Sequence, residues 1–284
     1  MPFFEIRANL DDCRINVVGG LQTGILIWES AIIPKLLYNS ECWLNISKQT
    51  LKNLENLQLR FLRMLFAVGM GCPIPILYWD TGCLPMKYRI LKNKLLFLHH
   101  VATLPENTLA REIFETQKKL HLPGLLKECH DFMIKSEIMN FQMYSKQQWK
   151  TCVKNSIRRE IETDLREKMN TYKKLQVGDF VSENFAAKDY LRLLNLADVR
   201  WKFKLRSSMT PTIKMNFKTD KKFAAQLWKC EGCAKLSQSG NLDTQQHVLW
   251  CEGYADLRVD MDLDNDQHLV AYFRSVISRR QNNC

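Results

Sequence analysis

The side chains with the most pointed chemistry in this sequence sit near its C-terminal end. Cys230 and Cys233 have two residues between them, and His247 and Cys251 have three. A Cys-x2-Cys pair lets one tight turn aim two thiolates at a single ion, and Gly232 inside it can take a positive φ where the turn needs one. His247 and Cys251 fall one helical turn apart, so a helix starting there faces both the same way. The 13 residues separating the two halves suffice for a loop or hairpin to bring them together. Taken singly, these are ordinary free cysteines and a polar histidine. As four soft or borderline donors at finger-like spacing they make a tetrahedral zinc site. Four protein donors leave no open position, so Zn2+ held here is structural rather than catalytic.

A second stretch, Tyr78-Trp-Asp-Thr-Gly82, carries the Asp-Thr-Gly triplet of aspartic proteases. That chemistry needs two carboxylates sharing a proton, each on a loop held by strands. Here Pro75 and Pro85 flank the triplet between helical stretches, and the sequence holds no second copy. The expectation is a polar loop in which Asp80 or Thr81 caps a helix N-terminus.

Helices must position these residues. Leu21 to Trp43 has apolar residues at helical spacing, with Trp28 and Ile32 on one face and an interruption at Pro34. Ser47 stands at an N-cap position before Leu51, Leu54, Leu57, Leu59, Phe61, Leu62 and Leu65, a strong amphipathic pattern. The pattern stops at the glycine and proline cluster Gly69-Met-Gly-Cys-Pro-Ile-Pro75. After Thr81-Gly-Cys-Leu-Pro85, a helix from Met86 to about His100 offers Arg89, Lys92 and Lys94 as cations beside Ile90, Leu91, Leu95 and Leu98. Packed through their leucines, these helices make a small bundle.

From Thr108 to about Leu175 the pattern stays helical and grows more charged, with Lys154, Arg158, Arg159, Arg166, Lys168, Lys173 and Lys174. This reads as a helical linker, not a second compact core. Tyr190 to Lys204 interleaves Leu191, Leu194, Leu196, Val199, Trp201 and Phe203 with Arg192, Arg200, Lys202 and Lys204. It fits a basic helix or, near its end, a strand; helix is the expectation. The fold class is thus mainly α in three parts: a helical bundle over 1–105, a basic helical linker over 106–222, and a zinc module with a C-terminal helix over 223–284.

The 284 residues, 46% of them hydrophobic, can build a substantial core, and the formal net charge is +11. From Glu252 to Tyr272 the chain is acidic, with six carboxylates against Arg258, so the excess of cations lies upstream. A basic surface of this size favours phosphates; Arg158, Arg159, Arg200, Lys202 and Lys204 are the candidate contacts. Trp201 and Trp228 could add base stacking, although core packing is the commoner use of tryptophan. The ten cysteines are irregularly spaced, and the N-terminal sequence lacks the order of a secretory signal. No apolar run suits a membrane span, since Gly24 to Leu37 contains Glu29, Pro34 and Lys35. A reducing compartment, nuclear or cytoplasmic, and no secretion are expected.

Several stretches together resemble a known family. Ile33-Pro-Lys-Leu-Leu-Tyr-Asn-Ser-Glu-Cys-Trp43, Leu54-Glu-Asn-Leu-Gln-Leu-Arg-Phe-Leu-Arg63, Pro73-Ile-Pro-Ile-Leu-Tyr78, Gly82-Cys-Leu-Pro85 and Arg89-Ile90 resemble the segment after the polymerase palm in non-LTR (LINE-type) retrotransposon reverse transcriptases. His247-Val-Leu-Trp-Cys251, Tyr254, Leu257-Arg258 and Leu269-Val-Ala-Tyr-Phe273 resemble their zinc-knuckle region. Between about 105 and 222 only the helical, basic character is shared. The resemblance implies a thumb-like bundle, a linker and a Cys-Cys-His-Cys module that contacts RNA or target DNA, with an acidic residue at the place of Asp80 in a structural loop.

A polymerase needs paired carboxylates for two metal ions, usually in an aromatic-x-Asp-Asp hairpin. The only Asp-Asp pair, Asp11-Asp12, lacks the aromatic, and about thirty residues after Cys251 leave an endonuclease no room. The expectation is therefore no enzymatic activity. Two function classes follow. One is a nucleic-acid-binding remnant that grips RNA or DNA through basic helices and a zinc module. The other is a protein-interaction or self-associating module using the exposed thumb-like face. A transposon relic without a selected role is a third reading. Salt separates the first two, because phosphate binding weakens steeply with salt and apolar association does not.

Overall fold

A computed structural model describes residues 20–172, 183–209, 230, 233 and 245–281. Among them the protein is mainly helical, as the periodicity expects, and no strand occurs. Helix α1 (Gly20–Ile27) passes through a π-helical turn (Trp28–Ile32) into α2 (Ile33–Leu36). The Ile33 N–H donates to the Trp28 carbonyl, five residues back. Pro34 can donate no such bond, and the widened turn lets the helix run on past it instead of breaking. Trp28 then stacks flat on Phe61, ring centroids 4.2 Å apart.

Phe61 belongs to α3 (Lys48–Phe66), whose Ser47 N-cap accepts from the Thr50 N–H at 3.0 Å, where the sequence places the cap. Its buried face is Leu54, Leu59, Phe61, Leu62, Leu65 and Phe66. Ala67, in the left-handed region at φ 51°, ends it. Helix α4 (Ile74–Thr81) follows, with Pro75 in the first turn, where a missing N–H costs nothing. The Asp-Thr-Gly triplet is thus not a polar capping loop. Asp80 and Thr81 are the buried last residues of α4, and Gly82 at φ 66° is its left-handed C-terminal stop. A Cβ on Gly82 would lie 2.6 Å from the Ala187 backbone nitrogen, so both conformation and close approach require glycine.

Helix α5 (Met86–Ala102) is central among the described helices, contacting α3, α6 (Leu109–Lys119), α7 (Leu125–Lys135) and α8 (Lys146–Thr171). Being surrounded, it buries two of the cations that its sequence offers, Arg89 and Lys94. Arg89 forms a two-pronged pair with Glu29, its Nη1 to Oε2 at 2.7 Å, and Lys94 pairs with Glu128. Helix α8 opens with a reciprocal capping box between Ser145 and Gln148. It differs from a linker: Trp149, Val153, Ile157, Ile161, Leu165 and Met169 recur every fourth residue and are buried in the core that holds Leu21, Phe66 and Trp79. That core reaches from Leu21 to Phe203.

The stretch left between helix and strand is helical, divided into α9 (Tyr190–Leu193) and α10 (Leu196–Arg206) by Asn195, which caps α10 by accepting from the Asp198 N–H. Phe203 of α10 stacks on Phe66 at 3.8 Å. Two residues on, Leu205 enters a second apolar cluster with Val248, Tyr254, Val270, Tyr272, Phe273 and Val276. These come from α11 (Gln245–Trp250), a 3-10 segment (Glu252–Leu257) and α12 (Asp266–Gln281). Among the described residues, no helix is long and apolar enough to cross a membrane.

Candidate metal centre and charged surfaces

His247 stands in the last turn of α11 and Cys251 follows the helix in extended backbone, so the pair lies at a helix end and not at a helix start as the spacing suggests; the second apolar cluster takes in the three cysteines. Cys230, Cys233 and Cys251 are buried and His247 is partly so. Their donor atoms all lie within 4.8 Å of one another. Sγ of Cys251 is 3.6 Å from that of Cys230 and 3.7 Å from that of Cys233, and His247 Nε2 is 3.2 Å from Cys233 Sγ. A tetrahedral ion with metal–sulfur bonds of about 2.3 Å and metal–nitrogen bonds of about 2.0–2.1 Å requires edges of about 3.8 and 3.6 Å. The two sulfur–sulfur edges are close to that size and far too long for disulfides, and the nitrogen–sulfur edge is about 0.4 Å shorter than an occupied site would hold it. The four residues could hold a metal ion.

The surroundings support this geometry. Burial pushes the Cys251 thiol up to about 12; a backbone contact from Gly253 opposes the shift, and the neighbouring Cys230 and Cys233 thiols add to it. A bound cation would favour the deprotonated thiolate against that burial. Arg258, which the motif does not include, donates from Nη1 to the Cys251 carbonyl at 2.8 Å and to the Tyr272 hydroxyl at 3.3 Å. That hydroxyl in turn donates to the Val248 carbonyl at 2.5 Å. Both ends of the His247–Cys251 turn are thereby fixed, and a positive charge stands beside a thiolate-rich site. The only sequence signal for these partners is their position in the resembling stretches.

The five cations named for phosphate contacts are not gathered on one surface role. Arg158 and Arg159 are exposed on α8, Arg158 within 3.4 Å of Glu162. Arg200 donates from Nε to the Leu65 carbonyl at 3.0 Å, which ties α10 to α3. Lys202 pairs with Asp266 across to α12. Lys204 lies 5.6 Å from the centroid of the Trp201 ring, and Trp201 packs against the second cluster, a core use. Trp228 lies outside the described residues.

One charged assembly escaped the sequence reading altogether. The Asp80 carboxylate, fully buried, accepts from Arg206 Nε at 2.8 Å and Nη2 at 3.0 Å, and from the Tyr190 hydroxyl at 2.8 Å. Arg206 also bonds both oxygens of Glu183, at 3.0 and 2.7 Å. Lys188 reaches Glu183 at 2.9 Å, and Arg166 lies over the Trp79 ring at 4.9 Å. Partial burial works against the Glu183 carboxylate, but Arg206 and Lys188 outweigh it and hold its pKa down at about 2. This knot ties α4, α8, the segment before α9, and α10 together.

No protein-family model, curated protein or solved structure matches the chain.

Proposed function

We propose that this protein binds nucleic acid without catalysing a reaction, its C-terminal fold organised by a structural Zn2+ on Cys230, Cys233, His247 and Cys251. The observation that carries the reading is the buried Cys3His set, whose donor spacing suits a tetrahedral ion. Three thiolates and one imidazole are a zinc donor set, and four protein ligands leave no position for substrate. The formal charge of +11 supplies the attraction to phosphates. The stretches resembling LINE-type reverse transcriptases support descent from such a protein, and the lack of an aromatic-x-Asp-Asp hairpin supports binding in place of polymerisation. Nuclear or cytoplasmic residence accords with this role.

A second reading is self-association. On α6, Leu109 and Ile113 are 72% and 50% exposed, and Leu120 just beyond it is 58% exposed, one turn or two apart on one edge.

The test is metal analysis of the purified chain beside a Cys230→Ser, Cys233→Ser double variant, with binding of both to structured RNA and duplex DNA across a salt series. One zinc per chain in the native protein alone, with salt-sensitive binding weakened in the variant, is the expected result. Absence of zinc removes the metal reading. Zinc with no nucleic-acid binding, and a dimer that persists at high salt, selects self-association.

A further inference from the structure

Residues 146–159, the first half of α8, carry five cations and no acid; acids resume only at Glu160. Lys146, Lys150, Lys154 and Arg158 recur every fourth residue, about 6 Å apart along one edge of the helix. All four are exposed. Arg158 has Glu162 beside it, whereas Lys146, Lys150 and Lys154 have no ion pair among the described residues. Like charges one turn apart repel, and cations in a first turn oppose the helix dipole. A stripe that costs stability on both counts is accounted for by an anionic partner.

The stripe begins at a cavity of about 280 Å3 between the last turn of α5 and the first turn of α8. Leu96 and Trp149 supply its apolar lining, Lys146 and Lys150 its α8 side, His99 and His100 its α5 side, and no carboxylate lines it. The walls are fixed in advance. His99 Nε2 is bonded to the Tyr144 carbonyl at 2.8 Å, its ring stacks on Trp149, and Trp149 Nε1 donates to the Leu95 carbonyl at 2.8 Å. The cations are flanked by Gln147, Thr151 and Asn155, polar residues that a membrane-facing helix would not place there.

We propose that this cavity and the lysine stripe leading from it seat a single-stranded nucleic acid, with phosphates against Lys146, Lys150 and Lys154 and one sugar or base in the cavity. The inference rests on the nucleic-acid reading above and names its surface and substrate class. A single strand fits better than a duplex, because only an unstacked unit can enter a cavity while its neighbours track a line of charge. The cavity, at the small end of ligand-pocket sizes, suits one such unit.

The test compares the full native chain with a Lys146→Ala, Lys150→Ala, Lys154→Ala triple variant. Short fluorescein-labelled RNA and DNA strands and the matching duplexes are titrated across a salt series. Three lost phosphate contacts, each contributing about 0.7 to the dependence of log K on log salt for a single strand, should lower that slope by about 2. The single strands should lose more affinity than the duplexes, and the variant should unfold at no lower temperature than the native chain. A Lys→Gln triple variant, which keeps side-chain length, should behave the same way. An unchanged slope in variants of a native chain that does bind overturns this surface and leaves the nucleic-acid reading standing. A native chain that binds no nucleic acid overturns both. Polyglutamate competing as well as the labelled strand overturns the assignment in favour of an acidic protein partner.

Discussion

Replacing Asp80 with asparagine removes one charge and almost no volume from the centre of the charged knot. The native carboxylate accepts two bonds from Arg206, at 2.8 and 3.0 Å, and one from Tyr190 at 2.8 Å. Breaking a buried pair by neutralising one partner costs about 3–5 kcal/mol, chiefly because the surviving charge is left uncompensated. Arg206 keeps both bonds to Glu183, so the loss belongs at the lower end, about 3 kcal/mol. With urea slopes of about 1–3 kcal/mol per molar, the unfolding midpoint should fall by about 1–3 M at unchanged slope. Tryptophan emission is a suitable probe, since Trp79 is fully buried beside the knot. An Asp80→Asn, Arg206→Met double variant should be less damaged than the sum of the single changes, with a coupling above about 1 kcal/mol. A loss below about 1 kcal/mol in Asp80→Asn would refute the argument that this carboxylate anchors α4 to α10.

Glu183 gives the knot a pH signature. Its carboxyl is lowered from the ordinary 4.5 to about 2, so the stabilisation is complete above pH 4.5 and is lost as pH falls toward 2. With 29% of the side chain exposed, the contribution is about 2 kcal/mol, and Glu183→Gln should flatten the stability profile across that window. Gly82→Ala forces a side chain into the left-handed region and toward the Ala187 nitrogen, and should cost about 2–4 kcal/mol in a thermal melt. Chelation of the native chain should abolish the helical signal of α11 and α12 in circular dichroism and lower the stability of the remainder through α10, whereas an inert chain under chelator would contradict a metal-built fold.

What the sequence made legible was local. The Ser47 cap and the leucines after it lie within one helix, and His247 and Cys251 are four residues apart, although the helix ends between them. Burial of Arg89 and Lys94 was not legible, because the carboxylates that neutralise them, Glu29 and Glu128, are 60 and 34 residues away. Helix α8 read as a linker because its outer edge is so charged, yet the stripe from Trp149 to Met169 was present one residue out of phase with the lysines. Asp80 read as a cap because a polar triplet beside a glycine suggests a loop. Arg206 and Tyr190, both far along the chain, make its burial in α4 tolerable.

The distance of 126 residues between Asp80 and Arg206 also sets an order of events during synthesis. Helices α1 to α8 can form and begin to collapse as they leave the ribosome, since most of their partners are near in sequence. Closing so long a loop carries an entropic cost that no local contact repays, and until α10 emerges Asp80 would be buried without its counter-charge. Docking of α4 is therefore a late step, timed by the arrival of Arg206. A ribosome stalled before that residue would display a helical but unlocked chain, open to proteases where the finished protein is closed.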